Sequence, residues 1–272
     1  MIDLDAVPGR ISVWYGPLDG PAWYQRLADE PHYAASLMKV PVLVAAHRAH
    51  EAGELDLDAP VPVRNRFASS APGAPDFALS GGPENDAAVW RLLGGTASLR
   101  WLAQRMIVAS SNLAANLVFG HVGAHRVAEV WRLAGATRSV TARAIEDRAA
   151  REAGLDNIVT AAELAGLLAA LGTGRLAGAG ATGQMLDTLA AQEWRDDLAA
   201  GLPAGTRMAF KNGWVHGVRH AAGIVYRAGA DPYLLVVCMT TPLASDTDEP
   251  DEACRLVAGI AAASWSGELS ER

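Results

Sequence analysis

Three apolar runs near one end of the chain, Met208–Lys211, His220–Arg227 and Tyr233–Thr240, have the length and composition of strands and are separated by short stretches. Strands joined by short turns pair antiparallel. A fourth strand lies at the opposite end, where Arg10–Tyr15 alternates with Ile11, Val13 and Tyr15 on one side. Between them the period is helical: Ser36–Glu51, Ser98–Val108, Asn112–Phe119, Arg126–Leu133, a segment opened by the capping box Thr160-Ala161-Ala162-Glu163, and Gln184–Ala191. Residues 60–95, rich in Pro, Gly and Ser, predict loop, and Asp251–Trp265 a last helix. This order predicts an α/β fold of α+β layered type. An antiparallel sheet flanked by helices is built from both chain ends and interrupted by an all-helical insertion. Residues 1–34 and 191–272 make the sheet part and 35–190 the helical part, with a cleft between them.

The 272 residues suffice for a sizeable core. A formal net charge of -7 argues against nucleic acid as a partner, because phosphate binding rests on Lys and Arg. No apolar stretch approaches the roughly 18 residues of a membrane span, so no membrane partner is expected. The start, Met1-Ile2-Asp3-Leu4-Asp5, lacks a basic region ahead of an apolar one. The chain therefore reads as a soluble monomer, cytoplasmic as it stands, or periplasmic or secreted if a leader has been removed. Cys238 and Cys254 make neither a disulfide framework nor a zinc site. His47-x-x-His50 and His121-x-x-x-His125 lack the adjacent glutamate of a metalloprotease helix and read as surface or core histidines. Gly178 to Gly183 match G-x-G-x-x-G but follow a helix rather than a strand, which predicts a loop instead of a dinucleotide site. Neither metal nor cofactor is expected, and a small molecule is the expected partner.

Of 23 basic residues only Lys39 and Lys211 are lysines. Lysine differs from arginine in losing its proton when buried. Lys39 stands three residues after Ser36, on the same helix face and within reach of its hydroxyl. A serine hydroxyl is a weak nucleophile until a base accepts its proton, and a desolvated lysine can be that base. Ser110-Ser111-Asn112 joins two helices, and in an extended link Ser110 and Asn112 point the same way. Lys211-Asn212-Gly213 ends a strand, where a lysine can attract a carboxylate and a glycine admits a close backbone approach. Taken singly, these three read more readily as a helix start, a cap and an Asn-Gly hairpin turn.

Together and in this order they resemble the S-x-x-K, S-D-N and K-T-G set of class A β-lactamases and penicillin-binding proteins. The run Ser110 to Asn116 is similar to S-D-N-x-A-A-N, and Leu202-Pro203-Ala204-Gly205 also fits. So do Lys211 to Trp214 with Gly217, Arg219, His220 and Gly223 to Tyr226, and the likeness spans about residues 10–266. The resemblance implies that Ser36 is acylated by a β-lactam or related amide or ester carbonyl, which is then hydrolysed. It assigns Lys39 as base, directly or through a carboxylate and a water, Ser110 as proton relay and Asn112 as holder of Lys39 and a substrate amide. Lys211, Asn212, Gly213, Trp214 and Arg219 would bind substrate, and the N–H groups of Ser36 and Trp214 would form the oxyanion hole. Glu146, with Asp147 and Glu152 as alternatives, would activate the deacylating water. Three positions depart from the pattern: Ser111 replaces aspartate, Asn212 replaces threonine or serine, and Ala150 stands where an asparagine positions the water. Alternative activities on the same plan are a D-alanyl peptidase, an esterase, a biosynthetic acyl hydrolase, or a penicillin-binding protein that acylates without fast turnover.

Overall fold

The computed structural model describes residues 3–81, 86–247 and 249–269, so residues 1–2 of the acidic start and 82–85 of the expected loop lie outside it. The chain opens with β1 (Arg10–Pro17), β2 (Tyr24–Arg26) and β3 (His32–Tyr33), then a 3-10 turn (Ala35–Met38) and α1 (Lys39–Glu51). There follow β4 (Pro60–Pro62), α2 (Ala87–Trp90), β5 (Thr96–Ser98), α3 (Leu99–Val108), α4 (Asn112–Val122) and α5 (Ala124–Leu133). Next come β6 (Val140–Thr141), α6 (Arg148–Glu152), β7 (Asn157–Val159), α7 (Ala161–Gly172) and α8 (Ala179–Ala190). A 3-10 turn (Leu198–Gly201) leads to β8 (Arg207–Val215), β9 (Val218–Tyr226), β10 (Tyr233–Thr240) and α9 (Glu252–Ser266).

The main sheet has the order β2-β1-β10-β9-β8 and is antiparallel throughout, joining the two chain ends as the strand pattern predicts. Both faces are covered, which is why the last strands are apolar almost without interruption. On β10, Leu234, Val236 and Cys238 face the helical side, while Tyr233, Leu235, Val237 and Met239 pack with α9. On the helical side α1 runs through the middle of the core. Every residue from Lys39 to His47 is buried, as expected for a helix surrounded by other helices.

Four expectations are corrected in detail. The 178–183 stretch is not a loop, since α8 starts at Ala179. Residues 60–95 hold the short strand β4 and helix α2. The Asn-Gly pair at 212–213 makes no turn. The strand continues to Val215, and the hairpin closes at His216-Gly217, where Gly217 takes φ 78°. The capping box is half formed. Thr160 caps Glu163 N–H at 3.2 Å, but the Glu163 carboxylate turns away to the N–H groups of Thr137, Arg138 and Ser139. No helix among the described residues is long and apolar enough to cross a membrane.

Candidate active site

Ser36 sits in the tight turn that feeds α1, and neighbouring strands hold that turn in place. β3 pairs with β7, and Ala34 N–H donates to Asn157 C=O at 2.9 Å. From the sheet, the His220 ring bridges Tyr33 C=O, 2.7 Å from Nε2, to Arg219 C=O and Met239 N–H, 2.9 and 3.1 Å from Nδ1. Burial pushes His220 down to about 4, so the ring is neutral near pH 7. Gly213 brings β8 against the nucleophile. A Cβ there would lie 2.7 Å from Ser36 N, so only glycine lets the strand backbone come this close to Ser36 N–H.

Lys39 is fully buried, and its side-chain nitrogen is surrounded by oxygen. Nζ lies 2.9 Å from Ser36 Oγ, 2.6 Å from Ser110 O, 3.1 Å from Ser110 Oγ and 2.9 Å from Asn112 Oδ1. Ser110 Oγ donates to Ser36 Oγ at 3.0 Å, closing a triangle of two hydroxyls and one amine. The link between α3 and α4 achieves this differently from the expected extended geometry. Ser110 takes φ 58°, and Ser111 caps α4 through Ala114 N–H. Ala35 (φ 44°) and Glu146 (φ 62°) are also left-handed without being glycine. Such residues carry roughly 1–3 kcal/mol of strain and cluster where surrounding structure holds a site in place.

Ser36 opens onto a cleft of about 640 Å³ lined also by Tyr33, Asn112, Glu146 and Trp214. The wall opposite β8 is the segment from β6 to β7, strapped to the body by side chains. Asn116 brackets Ile145 through both its amide groups at 2.8–2.9 Å, and Arg143 is paired with Asp156 at 2.7 Å. Asp147 is buried and accepts from Ser69 Oγ, Ser70 N–H and Ala150 N–H, so its carboxylate serves the loop. Glu146 lines the cleft, and its carboxylate accepts from Ser80 N–H at 2.8 Å and Ser80 Oγ at 2.7 Å. Ala150 is buried and offers no polar side-chain atom. Glu152 is exposed on the far turn of α6 and is absent from the cleft lining.

The strand side is less open than the motif suggests. Lys211 is fully buried, with Nζ 2.8 Å from Asn212 O and 3.3 Å from Asn212 Oδ1. Asn212 in turn donates to Asp197 Oδ2 at 3.0 Å and Trp194 O at 3.1 Å. The amide thus joins a buried acid to a buried lysine, donating through Nδ2 to Asp197 while Oδ1 accepts from Lys211. Arg219 is tied to Asp251 at 3.1 Å and lies 5.1 Å over the Trp214 ring, outside the cleft lining. Asp197 carries no motif of its own, and His220, although part of the resembling run, gives no sign in the sequence that it bridges to Tyr33. Each depends on a partner distant in the chain.

Burial pushes Asp197 up and Lys211 down to about 7, with each partially offset by the other's charge. At Lys211 the native state therefore binds fewer protons than the unfolded chain between about pH 7 and 10.5, and this group's contribution to stability rises with pH across that window. Activity that needs the Lys211 charge moves the opposite way, falling as pH passes 7. Thermal melts and kcat/KM measured from pH 6 to 10 should show these opposed trends, and Lys211→Met should remove both. Parallel trends, or a profile unchanged in Lys211→Met, would refute the assignment.

The β-lactamase enzyme family matches residues 2–265 of this chain. Among curated protein sequences none matches. Solved structures match closely in shape. A β-lactamase from Xanthomonas campestris is 23% identical, with a TM-score of 0.79 over 95% of this chain and 92% of that one. PBP-A is 21% identical, with a TM-score of 0.76 over 96% and 91%. The class A β-lactamase of the last common ancestor of Gram-negative bacteria is 20% identical, with a TM-score of 0.79 over 97% and 95%. These identities establish a common fold, and the family match extends over nearly all of the chain. The protein is a serine hydrolase and belongs to the β-lactamase enzyme family.

Proposed function

We propose that the protein is an acyl hydrolase of the class A type, in which Ser36 is acylated by a β-lactam or a related amide or ester and the acyl group is then hydrolysed. The contact of Ser36 Oγ with both Lys39 Nζ and Ser110 Oγ carries this reading. In it, Ser36 Oγ attacks the carbonyl carbon and its proton passes to the Lys39 amine. The carbonyl oxygen gains charge against the N–H groups of Ser36 and Trp214, where one such donor is typically worth about 2.7–4 kcal/mol. Ser110 then relays a proton to the leaving nitrogen as the carbon–nitrogen bond breaks. Asn112 holds Lys39 and reaches toward the substrate amide. The substrate is a small molecule, the protein acts as a monomer, and neither membrane nor nucleic acid takes part.

Water must then release the acyl group, and here the hold of Ser80 on Glu146 together with Ala150 favours a slow step. The test is intact-protein mass after mixing with benzylpenicillin, sampled from seconds to hours. The expected course is an adduct that accumulates and then clears, with hydrolysed penicillin released. Glu146→Ala should leave acylation in place and lengthen the life of the adduct about 100-fold or more, the scale of a lost general base. An adduct that never clears, with or without Glu146, identifies a penicillin-binding protein instead. PBP-A supplies a parallel, because a leucine-to-glutamate variant of it has been solved as an acyl-enzyme with penicillin G. No adduct and no hydrolysis at any time would turn the search to esters and peptides.

A further inference from the structure

The strand residues expected to take a substrate's anion do not line the cleft. Lys211 and Arg219 are absent from its walls, and both are engaged, Lys211 by Asn212 and Arg219 by Asp251. The positive charge of the cleft stands on the opposite wall, on Arg143, Arg148 and Arg151. Arg143 is paired with Asp156 at 2.7 Å. Arg148 and Arg151 are exposed, three residues apart on α6, and among the described residues neither has an ion-pair partner.

The acids nearby do not fill that role. Glu146 is held by Ser80, and Asp147 by Ser69, Ser70 and Ala150. Asp246 also lines the cleft and pairs with neither arginine. Arg151 lies 5.9 Å over the ring of Tyr33, three residues before Ser36, which fixes its guanidinium beside the nucleophile's own turn. A planar guanidinium matches a carboxylate with two parallel N–H donors. On a chain of net charge -7, which repels anions at long range, two unpaired arginines in the active-site cleft are a local exception that suits an anionic ligand.

We propose that Arg148 and Arg151 determine specificity by binding a carboxylate on the acyl part of the substrate. The proposal rests on the acyl-hydrolase reading above. In that reaction the wall bearing Glu146 must face the acyl group that stays on Ser36, because water is activated there, while the leaving nitrogen departs beside Ser110. α6 follows Glu146 after a single residue, so its arginines border the acyl part.

Benzylpenicillin and carbenicillin test this, since they differ by one carboxylate on the acyl side chain. Second-order acylation rate constants for both are measured by rapid-quench mass spectrometry at low salt. The carbenicillin-to-benzylpenicillin ratio of the wild type should exceed that of a variant carrying Arg148→Gln and Arg151→Gln by about fivefold, roughly what two exposed ion pairs contribute together. Comparing ratios cancels the intrinsic reactivities of the two compounds and any loss common to both. Sodium chloride at about 0.5 M should shrink the wild-type ratio towards that of the variant. Both side chains are exposed, so glutamine disturbs no core packing. An unchanged ratio, even with both rates lowered in step, would mean that the arginines serve the carboxylate common to both penicillins or none, and would overturn this proposal alone. No adduct with either penicillin would overturn the acyl-hydrolase reading and the proposal with it.

Discussion

Ser36→Ala protein mixed with benzylpenicillin should form no adduct at any time, and its kcat/KM should fall by about 10⁶, the loss seen when a nucleophile is removed from a cooperating set. Its melting temperature should hardly move. Ser36 is only half-buried, and removal of its hydroxyl leaves Lys39 with Ser110 O, Ser110 Oγ and Asn112 Oδ1 as acceptors. No buried charge is orphaned, so the effect is confined to chemistry. Mass spectrometry and calorimetry on the same preparation separate the two. An adduct on the alanine variant would move the nucleophile elsewhere, with Ser110 the first residue to map.

Lys39 behaves differently because it is both base and buried hydrogen-bond donor. Lys39→Met should cost about 10⁴-fold in acylation rate, at the upper end for a general base. It should also lower stability, because the buried Ser110 O loses its donor, at about 1–3 kcal/mol for a buried group left unpaired. The informative companion is Lys39→Arg. A guanidinium keeps the charge but cannot release its proton at working pH. Stopped-flow acylation should therefore be as slow in Lys39→Arg as in Lys39→Met. If arginine preserves the rate, the lysine acts through charge alone and another group takes the Ser36 proton.

How far the sequence could be read depended on how local each device is. Ser36 and Lys39 are three residues apart at the entrance to one helix, so spacing alone brings them together. The α3–α4 link was legible as a meeting point, but the left-handed turn at Ser110 that aims its carbonyl at Lys39 was not. Strands of eight or nine residues such as β9 and β10 announced themselves by composition. β3, β6 and β7, two or three residues each, have no period to read and exist because distant segments pair. Asn212 and Arg219 illustrate the same limit in the site. Their neighbours Asp197 and Asp251 stand 15 and 32 residues away, and only the folded chain shows that these two side chains are already engaged. Gly213 suited a turn by composition, whereas its absent side chain makes room for Ser36 N–H.

The left-handed residues around the cleft bear on how such a protein can change. Ala35, Ser110 and Glu146 hold conformations that glycine would adopt freely, and two of them belong to the proposed machinery. The most durable version of this chain is therefore not its most active one. Selection for robustness alone would erode the positions that aim Ser110 and Glu146, and selection for catalysis draws on whatever surplus the rest of the fold provides. The large two-sided core beneath the cleft is that reserve, and it sets how much strain the site can carry.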